Sequence, residues 1–153
     1  METNQAAQPT DLIQSLEELA AYVNDRKLGY EKATENAMNP DHQNVYRQLA
    51  GQRTTFLNEL NGMIHGHGGQ TEKGRMIEDE LYRQWVDTQE NLVGGDDETI
   101  VQGNVKGEEW TLQAYERTLA NQELSAAERQ TLENQKREIQ AAQTQLQEMR
   151  LSA

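Results

Sequence analysis

Apolar side chains recur along this chain at alternating steps of three and four residues, the repeat of a helix that turns one face to a bundle core. Leu12, Leu16, Leu19, Val23, Arg26, Tyr30, Ala33 and Ala37 follow it without a break. They predict a first helix over about 11–38, capped by Thr10 or Asp11, with Pro9 just outside. Asn39-Pro40 ends that helix and begins the next, because asparagine accepts free helix-start amides and proline has no N–H to lose at the first helical position. A second stripe, Tyr46, Leu49, Arg53, Phe56, Leu60, Met63 and His67, predicts a helix over about 40–66 that turns back on the first and stops at the glycines of 66–69.

A weaker pattern, Ile77, Leu81, Trp85 and Leu92, predicts a helix over about 72–93 that closes at Gly94-Gly95. Asp96, Asp97 and Glu98 then place negative charge at a helix start, where the backbone dipole favours it. Val101, Val105, Glu108, Leu112, Tyr115 and Leu119 continue this helix over about 96–121. Ser125 and Glu128 form a capping box with Leu124 at the staple position, and Leu132, Gln135, Ile139, Ala142, Leu146 and Met149 carry the last helix over about 125–150. The two short connections dictate two antiparallel hairpins. Between them a helix of about 30 Å returns the chain along the bundle, so that 96–121 runs parallel to 40–66. The expected fold is all-α: one domain over 10–151, a ferritin-like four-helix bundle with a helical crossover, preceded by disordered polar residues 1–9.

Composition changes this picture only in part. The chain has 153 residues and a net charge of −12. Its Leu, Ile, Val and Phe number 27, a share that with such charge would ordinarily accompany disorder, but their concentration on four stripes overrules that reading. The acidity argues against a nucleic-acid surface, and no apolar run approaches the roughly 20 residues of a membrane span. The absence of cysteine removes disulfides, thiolate catalysis and cysteine-ligated metal; with no signal-peptide pattern, a cytoplasmic protein is expected.

Candidate chemistry concentrates at mid-height. Residues equidistant from the turn at Asn39 share a level, which brings Arg26 and Arg53 together on core-facing stripes, with Glu108 and Gln135 near the middle of the last two long helices. These four predict a buried polar layer in which one or both arginines pair with Glu108 and Gln135 satisfies remaining groups, with Tyr30 and Tyr115 as further donors. The competing arrangement leaves an arginine at the helix edge with its head in water. Di-metal sites in ferritin-like bundles use a Glu on two helices and Glu-x-x-His on two others, and this chain has no Glu-x-x-His. Glu31 and Glu35 lie roughly 18 Å in height from Glu59, too far to share an ion. No metal is expected at the bundle centre, since two guanidinium groups repel a divalent ion, and no cofactor is implied.

His65 and His67 are the one possible, weak metal pair if the His-Gly-His stretch is extended; otherwise they are polar residues favourably placed at a helix end. His42 lies about 35 Å away and cannot join them. Gly29 with Gly51, and Gly103 with Gly107, are expected to allow close helix packing. Gly94-Gly95-Asp96-Asp97 reads as a turn, lacking the strand and lysine of a phosphate loop, and no Ser-His-acid arrangement is supported.

Taken in order, Gly29-Tyr30-Glu31, Ala33, Glu35, Arg53, Phe56, Glu59-Leu60, Gly68-Gly69, Trp85, Gly95-Asp96-Asp97 and Gly107-Glu108 resemble an uncharacterised bacterial family of ferritin-like four-helix-bundle proteins, a domain of unknown function distantly similar to stress-associated ferritin-like proteins. The resemblance runs from about Leu12 to Met149 and implies a fold without assigning a reaction. One departure is Gln143, where relatives place a histidine, so no role of that histidine carries over. The expectation is a non-catalytic bundle, stress-associated or partner-binding, forming a homodimer or joining an unidentified protein partner. The alternatives are a di-metal oxidase or iron-handling protein with non-standard ligands, and an adaptor docking another helix on its Gln-rich last helix.

Overall fold

The computed structural model describes residues 9–70, 77, 79–91 and 96–152. The described residues form five helices: α1 (Pro9–Asn36), α2 (Pro40–Gly66), α3 (Glu80–Asn91), α4 (Asp97–Leu119) and α5 (Ala126–Ser152). The α1–α2 and α4–α5 hairpins pack together through α1 against α4 and, more sparsely, α2 against α5. Cross-contacts fix the directions. Tyr30 meets Glu108 while the α1–α2 turn meets Asp97, so α4 is antiparallel to α1 and parallel to α2. The chain therefore crosses the bundle lengthwise between α2 and α4.

Local chemistry sets the boundaries. Asn39 caps α2 by accepting from the amides of Asp41 and His42. Ser125 and Glu128 close a reciprocal box at α5, each side chain accepting the other residue's amide at 3.0 and 2.9 Å. Gly68 follows α2 with φ of +92°, a conformation open to glycine at little cost.

The structure departs from the sequence reading at three places. Pro9 is the first residue of α1 and does not stand outside it, which suits a residue with no amide to satisfy; residues 1–8, where a disordered leader is expected, lie outside the described residues. The first helix stops at Asn36, and the next turn is held by α4, since the amides of Met38 and Asn39 donate to the Asp97 carboxylate at 2.8 and 2.9 Å. The crossover helix is shorter than the expected 72–93. Asp79 caps it through the Tyr82 amide, leaving 12 helical residues, about 18 Å. Of the expected span, 72–76, 78 and 92–93 lie outside the described residues.

The face of α3 also differs. Leu81 is 67% exposed, whereas Tyr82 is 3% exposed and rests on Tyr22 and Trp110, with Trp85 beside it. Covered by α1, α3 and α5, α4 buries Asn104, Gly107, Thr111, Ala114 and Thr118 in addition to Val101, Glu108 and Tyr115. Two apolar clusters result, one built on Leu12, Leu16, Leu19, Leu60 and Leu132, the other on Ala33, Ala37, Leu49, Val101 and Leu146. Between them lies a polar waist.

Candidate functional site: the buried waist

The waist is assembled from the middle of each long helix. Arg53 on α2 and Glu108 on α4 are both 0% exposed, and the guanidinium donates both Nη groups to the carboxylate, at 2.8 and 2.6 Å. This two-pronged geometry is one that arginine but not lysine offers. Tyr30 on α1 adds a third donor, its hydroxyl 2.5 Å from Glu108 Oε2. Arg53 Nε donates to Gln52, whose amide donates in turn to Glu138 on α5. The Arg53 guanidinium also lies over the Phe56 and Tyr30 rings.

Arg26 enters the same level from α1. It is 5% exposed, donates to the Asn104 side chain, and holds Nε 3.7 Å from Glu108 Oε1, in ion-pair range. Glycines make the space: a Cβ at Gly107 would collide with Arg26 Nη1, and one at Gly29 would stand 3.1 Å from it. Gly51 faces open space and brings no close approach of α1 and α2, while Gly103 lies under the Gln89 side chain of α3.

The electrostatics follow from this packing. Burial alone would raise the Glu108 carboxyl, but Arg53, then Arg26, with hydrogen bonds from Arg53 and Tyr30, hold it below the usual carboxylate range. Burial would lower the Arg53 guanidinium, but Glu108 reverses this and fixes its charge. Burial and the adjacent Glu108 carboxylate push the Tyr30 phenol well above its ordinary value, so it stays a donor.

Gln135 lies across the waist, on α5. It accepts from the Tyr115 hydroxyl at 2.6 Å and donates to Glu59 at 2.6 Å, forming a second chain of polar contacts beside the charged one and not a direct partner of Glu108 or the arginines. A cleft of about 340 Å³ between α2 and α5 is lined by Gln52, Glu59, Gln135 and Glu138, where both chains end.

The two histidines are placed differently from a metal pair. His65 is in the last turn of α2 and His67 caps that helix, so the stretch is not extended and residues two apart do not share a face. His67 Nε2 lies 2.8 Å from Glu128, whose carboxyl is held below its usual range as the Ser125 amide and His67 outweigh its partial burial. His42 is buried at the opposite end, edge-on to Tyr46. Among the described residues, no group of three or more His, Cys, Asp or Glu is arranged to hold a metal ion. Gln143 donates to the Val105 carbonyl.

Sequence reasoning did not single out Asn104, although it stands one helical turn before Glu108 on the same face. Nor did it find Glu59 and Gln52 as partners of the waist, or Asp97 as the anchor of the α1–α2 turn.

The fold and its waist define an all-α bundle of four long helices and a short crossover helix, organised around an internal Arg–Glu–Arg cluster. The chain belongs to the family described as Domain of unknown function (DUF2383), which matches residues 11–121. The match takes in Arg26, Tyr30, Arg53, Asn104 and Glu108, and ends before α5. No curated protein and no solved structure matches the chain. Among the described residues no helix is long and apolar enough to cross a membrane.

Proposed function

We propose that this protein is a ferritin-like bundle that acts without catalysis, in the cytoplasm, by associating with another protein chain, most simply a second copy of itself, in a stress-related setting. One observation carries the reading: at the height where a ferritin-like bundle would gather carboxylates around metal, this chain places one carboxylate between two guanidinium groups. The two guanidinium groups disfavour a divalent ion, and Glu108 and Arg53 are themselves fully buried away from solvent. Among the described residues, Leu28, Met38 and Leu81 are large apolar side chains left in solvent that association would cover.

The test is calorimetric titration of the purified chain with Fe(II), under argon, or Zn(II), together with size exclusion and light scattering. The reading expects no stoichiometric binding at micromolar metal and a dimeric mass. Stoichiometric micromolar binding that disappears in a His65→Ala/His67→Ala variant would defeat it in favour of metal handling. A monomer at every concentration would defeat self-association.

A further inference from the structure

The two guanidinium groups of the waist are not equally served. Arg53 and Tyr30 take up the Glu108 carboxylate by hydrogen bonds, and the second guanidinium, on Arg26, shares it only as a 3.7 Å ion pair. Its hydrogen bond goes to a neutral amide, Asn104, and its buried Nε has no hydrogen-bond partner. The neighbouring acid, Asp25, attracts Arg26 through space but accepts its hydrogen bond from the Tyr82 hydroxyl, at 2.8 Å. A nearly buried cation left in this state is electrostatically expensive, and an anion that reaches it gains far more than one in water.

Arg26 is reachable. It lines a pocket of about 130 Å³ between α1, α3 and α4, whose wall also includes Asn104, Gln89, Trp85, Ile100 and Lys32. The Asn104 amide donates to the Ile100 carbonyl and accepts from Arg26, which holds the guanidinium in place, and Lys32 adds positive charge from an exposed position. Trp85 and Ile100 present apolar surface. The volume is near the roughly 150 Å³ that holds a benzene-sized guest, room for about six non-hydrogen atoms in a pocket that is open to solvent on one side.

We propose that this pocket binds a small organic monocarboxylate, its carboxylate received by Arg26 and its short apolar body lying against Trp85 and Ile100. A carboxylate suits the site because its planar pair of oxygens matches a guanidinium and its hydrocarbon body matches the apolar wall, which offers nothing to the additional oxygens of a phosphate. The inference goes beyond an associating bundle, because the pocket is internal to one chain and needs no second copy.

The experiment uses the full chain and sodium butyrate as probe, followed by tryptophan fluorescence and calorimetry, with sodium phosphate and sodium chloride as comparison salts at matched ionic strength. Butyrate is expected to bind saturably at one site per chain, phosphate at least about tenfold more weakly, and chloride without a saturable response. Arg26→Gln should lose at least about tenfold in butyrate affinity. Lys32→Glu, at an exposed position, should lose roughly two- to fivefold with an unchanged melting temperature. The absence of saturable butyrate binding, or equal affinity in Arg26→Gln, overturns the proposal; tighter binding of phosphate overturns the carboxylate assignment. If Arg26→Gln does not fold, Lys32→Glu and Thr99→Phe, which fills the pocket from another residue of its wall, decide, and unchanged butyrate affinity in both overturns it.

Discussion

The two sides of the waist handle a glutamate in opposite ways. Toward α1 and α4, Glu108 is sealed among Arg53, Arg26 and Tyr30, out of reach of water. Toward α2 and α5, Glu59 lines an open cleft and accepts from the neutral amide of Gln135. Helix packing accounts for the contrast. The α1–α4 seam is close and lined by Gly29 and Gly107, so a carboxylate there must be fully compensated by the chain itself. The α2–α5 seam is sparse, water compensates its acids, and a glutamine suffices. At the waist, charge compensation thus follows the tightness of the seam.

That contrast can be broken from its charged side first. Arg53→Met strands Glu108 in the core and is expected to lower unfolding stability by about 3–5 kcal/mol in urea titration, the usual penalty of an orphaned buried charge. Adding Glu108→Leu should recover most of this loss, because the pair is a matter of specificity more than net stabilisation. Failure to recover would mean that Arg26 alone requires the carboxylate.

The same group gives the fold an acid limit. The Glu108 pKa is lowered in the folded state, so the unfolded state binds the extra proton. The stabilisation is therefore complete above the ordinary value of 4.5 and is lost as pH falls below it toward the folded pKa. Urea midpoints at pH 7 and pH 3.5 should converge between wild type and Glu108→Gln if this holds, and stay a constant distance apart if it does not.

On the neutral side, Gln135→Leu removes the acceptor of the buried Tyr115 hydroxyl and should cost about 1–3 kcal/mol, with no change in the acid response. Outside the waist, Ser125→Ala opens the capping box of α5 and should cost about 1 kcal/mol. His67→Ala, which removes a partly exposed contact with Glu128, should shift stability by less than about 1 kcal/mol. A larger loss would make the end of the bundle, and not its waist, the more stringent joint.

Much of this was legible in the residues. The three-four repeat placed the four long helices, and Asn39-Pro40 and Ser125 with Glu128 marked two boundaries through chemistry local to a few residues. Arg26 and Arg53 could be set at one height because a tight turn fixes the register of a hairpin, and Glu108 only because it lies near the middle of its own helix. What escaped was settled by elements far apart in the chain. Asp97 is needed at the α1–α2 turn only because α4 begins there. Tyr82 is buried in preference to Leu81 because Tyr22, Trp110 and Asp25 provide an aromatic seat and an acceptor for its hydroxyl. Gln135 faces Glu59 because α2 and α5 stand apart.

By itself, then, the sequence determined the helices, their order, and the gathering of two arginines and a glutamate at mid-height, since periodicity, capping and hairpin register act over short stretches of chain. Tertiary structure alone decided how those charges were shared: Arg53 takes both oxygens of Glu108, while Arg26 is left beside a pocket covered by α3. Such a division depends on distances between helices, which no local pattern of residues encodes.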